Sequence, residues 1–440
     1  MLHPLLLGPL TALLATVAPG QATPSAPQTR APPALVAALD DLLSRGALAG
    51  ARVGACVVSL DSGATLYARD ADALLNPASN VKLFTAAAAL ARLGPEFRFE
   101  TELSTDAASA GLPGGAARVL YVRGKGDPSL GTERLQGLVA DLVHLGLRRV
   151  GDLVLDDGWF DAVRFGPGFD QESGDKSYLA PAGALSLNAN TVAVHVGPGD
   201  RPGARGRVEV EPDSTWLELV NRVVTVGPRA ARRLTVASVA LPQGRQRILV
   251  EGRVPAGGRT SVHTRKIDDP ARYLGETPRR LLEQRGVRVT GRVRLGPVAP
   301  DARLLHVVES EELGEIVRRL QKGSSNFIAE QLVKALGAAA AGPPGSWPSG
   351  VAAVEGFLDE VGIPRGSYVM RNGSGLNDAN RFSARQLTRL LAATWRRFPS
   401  AAEFLAALPV AGKDGTLRTR LEGTEAAGQV RAKKIGRAHV

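Results

Sequence analysis

A long stretch rich in strand patterns divides this chain, and it constrains the fold more than any other feature. Before residue 95, helical periodicity, two β-rich runs around a turn and an Ala-rich helix follow one another. From 95 to 300, strand patterns with Gly and Pro turns prevail, and helical periodicity then returns. Because 440 residues exceed one ordinary core, this order predicts one domain split by an insertion. Besides the Ala-rich helix, helices are predicted over 34–48, 132–146, 270–286, 310–322, 324–341, 349–361 and 383–397.

Composition excludes several kinds of partner and site. The formal net charge is +11, but Arg is scattered and aromatic residues make up only 5% of the chain. A nucleic-acid-binding protein would concentrate such charge in runs with interleaved aromatics, so the excess indicates a solvated basic surface. The single cysteine, Cys56, excludes an internal disulfide and a zinc site built from cysteines. Its neighbours GACVVSL predict a buried strand with a packed thiol.

The N-terminus is typical of an exported protein. An apolar stretch from Leu5 to Val17 is too short to span a bilayer, and small residues suited to cleavage follow it. We therefore predict a signal peptide at 1–22 and a Pro-rich linker at 23–34. Signal peptides begin with a positively charged region, and this N-terminus has little positive charge. An unstructured leader or a wrongly assigned start codon is therefore the alternative. No later segment of the sequence reaches membrane-spanning length.

The start of the Ala-rich helix carries the first candidate for catalysis, Ser79-Asn80-Val81-Lys82. Positions i and i+3 share one face of a helix, so the Ser79 hydroxyl and the Lys82 amine can meet. A lysine with a lowered pKa can take the proton of the hydroxyl and make it a nucleophile. Ser-x-x-Lys alone is a weak pattern, because most chance matches are surface residues. The helix and the preceding hairpin favour the functional interpretation here.

Two further segments become informative only together with the first. Ser324-Ser325-Asn326 lies between two predicted helices, where a hydroxyl can relay a proton and an amide can bind a substrate peptide group. Alone, Ser-Ser-Asn is typical of a helix N-cap. Lys433 follows GQVRA, which predicts a turn leading into a strand, and by itself it would be an ordinary lysine. Lys413 begins a competing Lys-x-Gly stretch, and we prefer Lys433.

In combination, the order Ser-x-x-Lys, Ser-x-Asn and Lys resembles the penicillin-recognising serine enzymes. Lys82 and Ser324 are 242 positions apart. This gap resembles the class C low-molecular-mass penicillin-binding proteins, which are D-alanyl-D-alanine carboxypeptidase/endopeptidases. The resemblance runs from about residue 35 to Lys433. Further stretches that fit it are GKGDPSL (124–130), GDLVLDDGWFD (151–161), LAPAGALSLNANTVAV (179–194), NGSGLNDANRFS (372–383) and LPVAGKDGTLRTRL (408–421).

The resemblance implies a fold and a division into domains. The fold class is α/β: a β-lactamase/transpeptidase-like domain, in which helices flank an antiparallel sheet that here lacks its C-terminal strands, with a large mixed α/β insertion. Residues 35–94 and 301–433 are expected to form the two parts of this domain. Residues 95–300 are expected to form two inserted lobes.

The resemblance also implies a role for each candidate residue. Ser79 would be the acylated nucleophile, Lys82 its general base, and Ser324 the group that passes a proton to the departing D-alanine. Asn326 and Lys433 would bind the substrate, Lys433 as the first residue of a Lys-Thr-Gly motif. Asn372 stands where the family suggests an acidic residue, and we expect it to be architectural. Neither a metal nor another cofactor is implied.

The expected activity is hydrolysis of peptidoglycan stem peptides in the periplasm or cell envelope, with β-lactams as further ligands. Nucleic acid is not expected as a partner, nor is a stable membrane span. One alternative is a β-lactamase or esterase on the same fold, which the 242-position gap disfavours. The other is a non-catalytic envelope-binding protein, in which the three motifs would be accidental or decayed.

The last seven residues, KIGRAHV, do not continue the family pattern, which expects Thr-Gly after Lys433. IGRAHV is the translation of a common sequencing adapter, and the adapter's first two bases would turn a threonine codon into that of Lys434. We therefore predict that 434–440 do not belong to the natural protein and that the 440-residue polypeptide is inactive. Re-sequencing the locus checks this, because a genuine stop codon after Val440 would contradict it. Efficient labelling of the 440-residue polypeptide by fluorescent penicillin would contradict the predicted inactivity.

Overall fold

The computed structural model describes residues 32–397 and 399–434. The predicted signal peptide at 1–22, most of the predicted linker and residues 435–440 lie outside the described residues. The chain divides into two compact units, one up to Arg69 and one from Asp70 onward. Within the described ranges, no helix is long and apolar enough to cross a membrane.

The first unit contains one helix and the predicted hairpin. Helix α1 (Pro33–Ser44) is followed by the antiparallel strands β1 (Ala55–Val58) and β2 (Thr65–Arg69). The prediction that Cys56 is packed in a buried strand is wrong, because β1 is only half-buried. Its sheet has only two strands among the described residues, so this unit offers little to cover the thiol.

Helix α2 (Val81–Leu93) begins two residues after Ser79, and the helices of the second unit that follow residue 310 pack around it. From Val81 to Leu90, every residue of α2 is buried, and the stacked rings of Phe84 and Phe382 belong to the same core. Helix α9 is not among the predicted helices, whereas the others follow the predicted ranges closely. They are α2 (Val81–Leu93), α3 (Thr132–His144), α4 (Pro270–Gln284), α5 (Leu313–Gly323), α6 (Asn326–Ala341), α7 (Trp347–Glu360), α8 (Ala384–Trp395) and α9 (Ser400–Ala407).

The inserted region forms three sheets that contribute to one hydrophobic core. The largest has the order β12-β5-β4-β3-β14, with β13 also paired to β5, and the others have the orders β11-β6-β7 and β8-β10-β9. Since β14 pairs with β3, this sheet continues past residue 300. The strands are β3 (Glu100–Thr105), β4 (Ala116–Gly124), β5 (Arg149–Asp156), β6 (Thr191–Gly197), β7 (Arg207–Glu211), β8 (Leu217–Val226), β9 (Arg233–Ala240), β10 (Gln246–Pro255), β11 (Ser261–Lys266), β12 (Arg288–Val289), β13 (Val293–Leu295) and β14 (Arg303–Glu309).

The segment that leads to Lys433 differs from its prediction. Instead of a strand, Arg431 forms a single antiparallel bridge with Val410, and the Ala432 amide donates to the Pro409 carbonyl at 3.0 Å. A strand requires a partner along its length, and the described residues provide one for this single position. Lys433 is therefore held within the second unit without a regular β-ladder.

Candidate active site

Ser79 lies in a tight turn, Ala78–Asn80, that leads into α2. The turn is conformationally strained, since Ala78 has φ +43°. The Ala78 amide donates to the Asn76 side chain at 2.9 Å, and this bond supports the turn from one side. From the other side Gly375 approaches so closely that an ideal Cβ there would lie 1.8 Å from the Ala78 carbonyl oxygen. Backbone packing therefore fixes the position of the serine.

The amine of Lys82 connects Ser79 to two other elements. It donates to the Ser79 hydroxyl at 3.2 Å, to the Asn326 side-chain oxygen at 2.8 Å and to the Ser374 carbonyl at 2.6 Å. Lys82 is fully buried at the first turn of α2, where the i, i+3 relation to Ser79 holds. As an ammonium, Lys82 uses all three of its donors in these contacts. As a neutral amine it has two N–H donors, and its lone pair can accept the proton of the Ser79 hydroxyl.

The environment of Lys82 favours a neutral amine. The pKa of Lys82 is lowered to about 7: burial is the largest cause, the positive charge of Lys433 also lowers the pKa, and the carboxylate of Glu330 acts in the opposite direction. A lysine with a pKa near neutrality can accept a proton from an adjacent hydroxyl, whereas an ordinary lysine is already protonated.

Ser324 lies in the short connection between α5 and α6, and Asn326 is the first residue of α6. The Asn326 side chain accepts from Lys82 and donates to the Tyr178 carbonyl at 3.1 Å, so it is oriented from both ends. Ser324 follows α5 in a left-handed conformation with φ +56°, and it is half-buried. It lies two residues from Asn326 but is not one of the three partners of Lys82. The N-cap of α6 is Ser325, whose side-chain hydroxyl accepts from the Ile328 amide.

Lys433 is near this network, and the competing Lys413 is not part of it. The Lys433 amine donates to the Gln321 carbonyl at 3.2 Å, and the Gln321 side chain donates to the Lys82 carbonyl at 2.9 Å. Burial lowers the pKa of Lys433 to about 8. Lys413 is exposed, and its neighbour Asp414 pairs with Lys322 at 2.6 Å.

This arrangement suits acyl transfer: a hydroxyl at a helix N-terminus, a buried amine that can take its proton, an amide and a second cation. The model of the D-Ala-D-Ala carboxypeptidase 3 (S13) family matches residues 35–435. The chain belongs to this family.

Relatives in sequence and structure agree with the family. The chain is 37% identical over 412 residues to a D-alanyl-D-alanine carboxypeptidase of Actinomadura sp. (strain R39), covering 90% of this chain and 75% of that protein. It is 25% identical to the D-alanyl-D-alanine carboxypeptidase DacB of Haemophilus influenzae, covering 84% of this chain and 76% of that one. The crystal structure of penicillin-binding protein 4 from H. influenzae matches with a TM-score of 0.74 at 24% identity, over 87% of this chain and 84% of that chain.

The structural likeness confirms the predicted fold, a transpeptidase-like α/β domain with an inserted region. The resemblance to the D-alanyl-D-alanine carboxypeptidases is confirmed by the family match. A second structure of the Haemophilus protein, in complex with a β-lactam, matches with a TM-score of 0.71.

The sequence did not identify the buried residues that surround Lys82 and support the candidate site. Gln321 and Glu330 are buried, and the carbonyl of Ser374 accepts from Lys82. A backbone carbonyl leaves no trace in sequence, but Glu330 does: a carboxylate stands in the otherwise apolar helix segment FIAEQLV. Asn372 is fully buried, and its amide donates to the carbonyls of Pro167 and Leu376, which agrees with the expected architectural role.

A cavity of about 730 Å³ lies beside the site rather than at it. The five predicted site residues are not among those that line it. Its wall is nevertheless tied to the site, because Asn372 donates to the carbonyl of Pro167, a lining residue. We therefore assign the chemistry to the hydrogen-bonded network around Lys82. Lining residues of the cavity include Phe165, Pro167, Phe169, Leu179, Lys266 and Trp347.

Proposed function

We propose that Ser79 is the nucleophile with which this serine-type D-Ala-D-Ala carboxypeptidase cleaves peptidoglycan stem peptides. The Ser79 oxygen attacks the carbonyl of the penultimate D-alanine while its proton passes to Lys82. The peptide bond then breaks, terminal D-alanine leaves with a proton, and an ester links the remaining peptide to Ser79. Water hydrolyses this ester and restores the hydroxyl. A β-lactam enters by the same attack, through its strained amide.

The observation that carries the proposal is the buried Lys82 amine, 3.2 Å from the Ser79 hydroxyl and with a pKa of about 7. A surface lysine in a chance Ser-x-x-Lys match would be solvated and protonated at neutral pH. Burial is therefore the difference between a general base and a chance match.

The other three residues are proposed to act on the substrate. Ser324 passes the proton to the departing D-alanine, and Asn326 binds a peptide group of the stem. The Lys433 ammonium attracts the substrate's terminal carboxylate, and the partial burial that lowers its own pKa also strengthens this attraction. Such a substrate belongs to the cell envelope, so we propose that the protein is exported to the periplasm or cell envelope.

Release of D-alanine tests the proposed activity. Wild-type protein, expressed from the re-sequenced reading frame, should release terminal D-alanine from a stem-type peptide ending in D-Ala-D-Ala and no terminal L-alanine from its D-Ala-L-Ala counterpart. Chromatography of the products measures this, and equal release from both peptides would contradict the proposal. A peptide cross-linked through its penultimate D-alanine tests the endopeptidase reaction in the same assay.

The rate at which the penicilloyl ester is hydrolysed distinguishes the proposed carboxypeptidase from a β-lactamase. A carboxypeptidase should keep its penicilloyl ester over many minutes, visible as a lasting mass increase of one penicillin. Rapid loss of the ester with continuous penicillin hydrolysis would favour the β-lactamase instead.

A further inference from the structure

A buried carboxylate lies behind the base, on α6. Glu330 is only 2% exposed and stands four residues after Asn326, one helical turn further along. Its side chain accepts from the Trp347 indole at 2.7 Å, from the Gly373 amide at 3.1 Å and from the Ser374 amide at 2.9 Å. A buried carboxylate is costly unless it is hydrogen-bonded, and two of its three donors belong to one loop.

That loop delivers two carbonyls to α2. The Ser374 carbonyl accepts from the Lys82 amine at 2.6 Å, and the Gly373 carbonyl accepts from the Thr85 hydroxyl at 2.8 Å. The amides of these two residues thus face Glu330, while their carbonyls face the helix that carries the base. The Ser374 amide and the Gly373 carbonyl belong to one planar peptide unit, so Glu330 fixes both. The Ser374 carbonyl lies in the next peptide unit, whose Gly375 amide donates to the Asn372 side chain at 2.9 Å, so the Ser374 residue is held from both sides.

We propose that Glu330 is a positioning residue: by holding the amides of Gly373 and Ser374, it keeps the Ser374 carbonyl against Lys82 and the amine aimed at Ser79. This inference rests on the proposed role of Lys82 as base. Glu330 does not touch the hydroxyl and acts only through the loop and through its charge.

The charge of Glu330 provides a signature that a purely structural residue lacks. The charged groups that act on the pKa of Lys82 are Lys433, which lowers it, and Glu330, which raises it. Removing the negative charge therefore lowers the pKa of Lys82. The acid limb of the pH–rate profile, in which the acylation rate rises with pH, then moves to lower pH. Losing the loop's anchor also reduces the rate at its high-pH plateau, since a displacement of about 1 Å can cost roughly 100-fold.

The test compares Glu330→Gln and Glu330→Asp with wild type, using the second-order rate constant for acylation by fluorescent penicillin between pH 5 and 9. For Glu330→Gln we expect a plateau at least tenfold lower and a limb at lower pH. For Glu330→Asp, which keeps the charge but is one methylene shorter, we expect a lower plateau and an unmoved limb. If the acid limb of Glu330→Gln stays at the wild-type pH or moves to higher pH, the proposed effect of the Glu330 charge on the pKa of Lys82 is wrong.

Two further comparisons keep the inference falsifiable. If Glu330→Gln does not fold, a wild-type plateau in Glu330→Asp overturns the positioning role by itself. Trp347→Phe removes one donor to the carboxylate and leaves its charge, so it should lower the melting temperature without moving the limb. Acylation at the wild-type rate in Lys82→Met would instead refute the proposed function, whereas strongly slowed acylation there together with wild-type behaviour of both Glu330 variants refutes this inference alone.

Discussion

Ser79→Ala is expected to abolish covalent labelling by fluorescent penicillin and release of D-alanine. In the proposed mechanism the acyl-enzyme ester forms on the Ser79 oxygen, and removal of a nucleophile of this kind lowers turnover on the order of 10⁶-fold. Among the described residues, the variant loses one side-chain hydrogen bond, the one that Lys82 donates to the Ser79 hydroxyl. Its melting temperature should therefore stay close to that of wild type. Gel fluorescence and D-alanine release measure the effect.

The matched control is Ser62→Ala, which changes an exposed serine in the hairpin turn and should label like wild type. Binding to isolated peptidoglycan separates the enzyme from a non-catalytic envelope-binding protein. Labelling of Ser79→Ala at the wild-type level would show that another residue is acylated. A wild-type protein that binds the polymer but never labels would favour the binding protein.

Lys82→Met is expected to slow acylation by about 10²- to 10⁴-fold, the range typical of a lost general base. Methionine is comparable in length to lysine and suits the buried site, so the loss should reflect chemistry more than packing. The variant should still bind penicillin reversibly, and stopped-flow acylation kinetics separate this binding from the chemical step.

The wild-type pH profile should carry the signature of the same group. Lys82 must be neutral to accept a proton, so acylation should rise with pH, reach half its plateau at about pH 7 and fall tenfold per unit well below it. Lys82→Met should lack this limb. Lys413→Met, a change in an exposed lysine, should retain both limb and rate. A wild-type rate that is flat from pH 5 to 8 would contradict the role of Lys82.

Local patterns predicted much of the fold because helices are specified by short-range rules. Seven helices of the second unit lie within a few residues of their predicted ranges, and the hairpin forms around the expected turn. Helix α9 escaped prediction because its eight residues are too few to establish a periodicity. The strand expected before Lys433 did not form, because a strand depends on a partner that the local pattern cannot specify.

The residues of the candidate site also divide into those that the sequence predicted and those that it did not. Ser79 and Lys82 could be paired from sequence, since the i, i+3 relation is local. The joint spacing of the motifs indicated Ser324, Asn326 and Lys433, but no spacing gives the direction of a side chain. Gln321 and Glu330 were missed because their importance depends on which distant backbone groups they contact.

By itself, the sequence determined the family, the order of the motifs and the helix that places a serine beside a lysine. Only the tertiary structure decided that this lysine is buried, that a loop almost 300 positions away supplies its carbonyl partner, and that a carboxylate holds that loop. The physical reason is that pKa and orientation depend on desolvation and on contacts between distant segments. These arise only when the chain is folded.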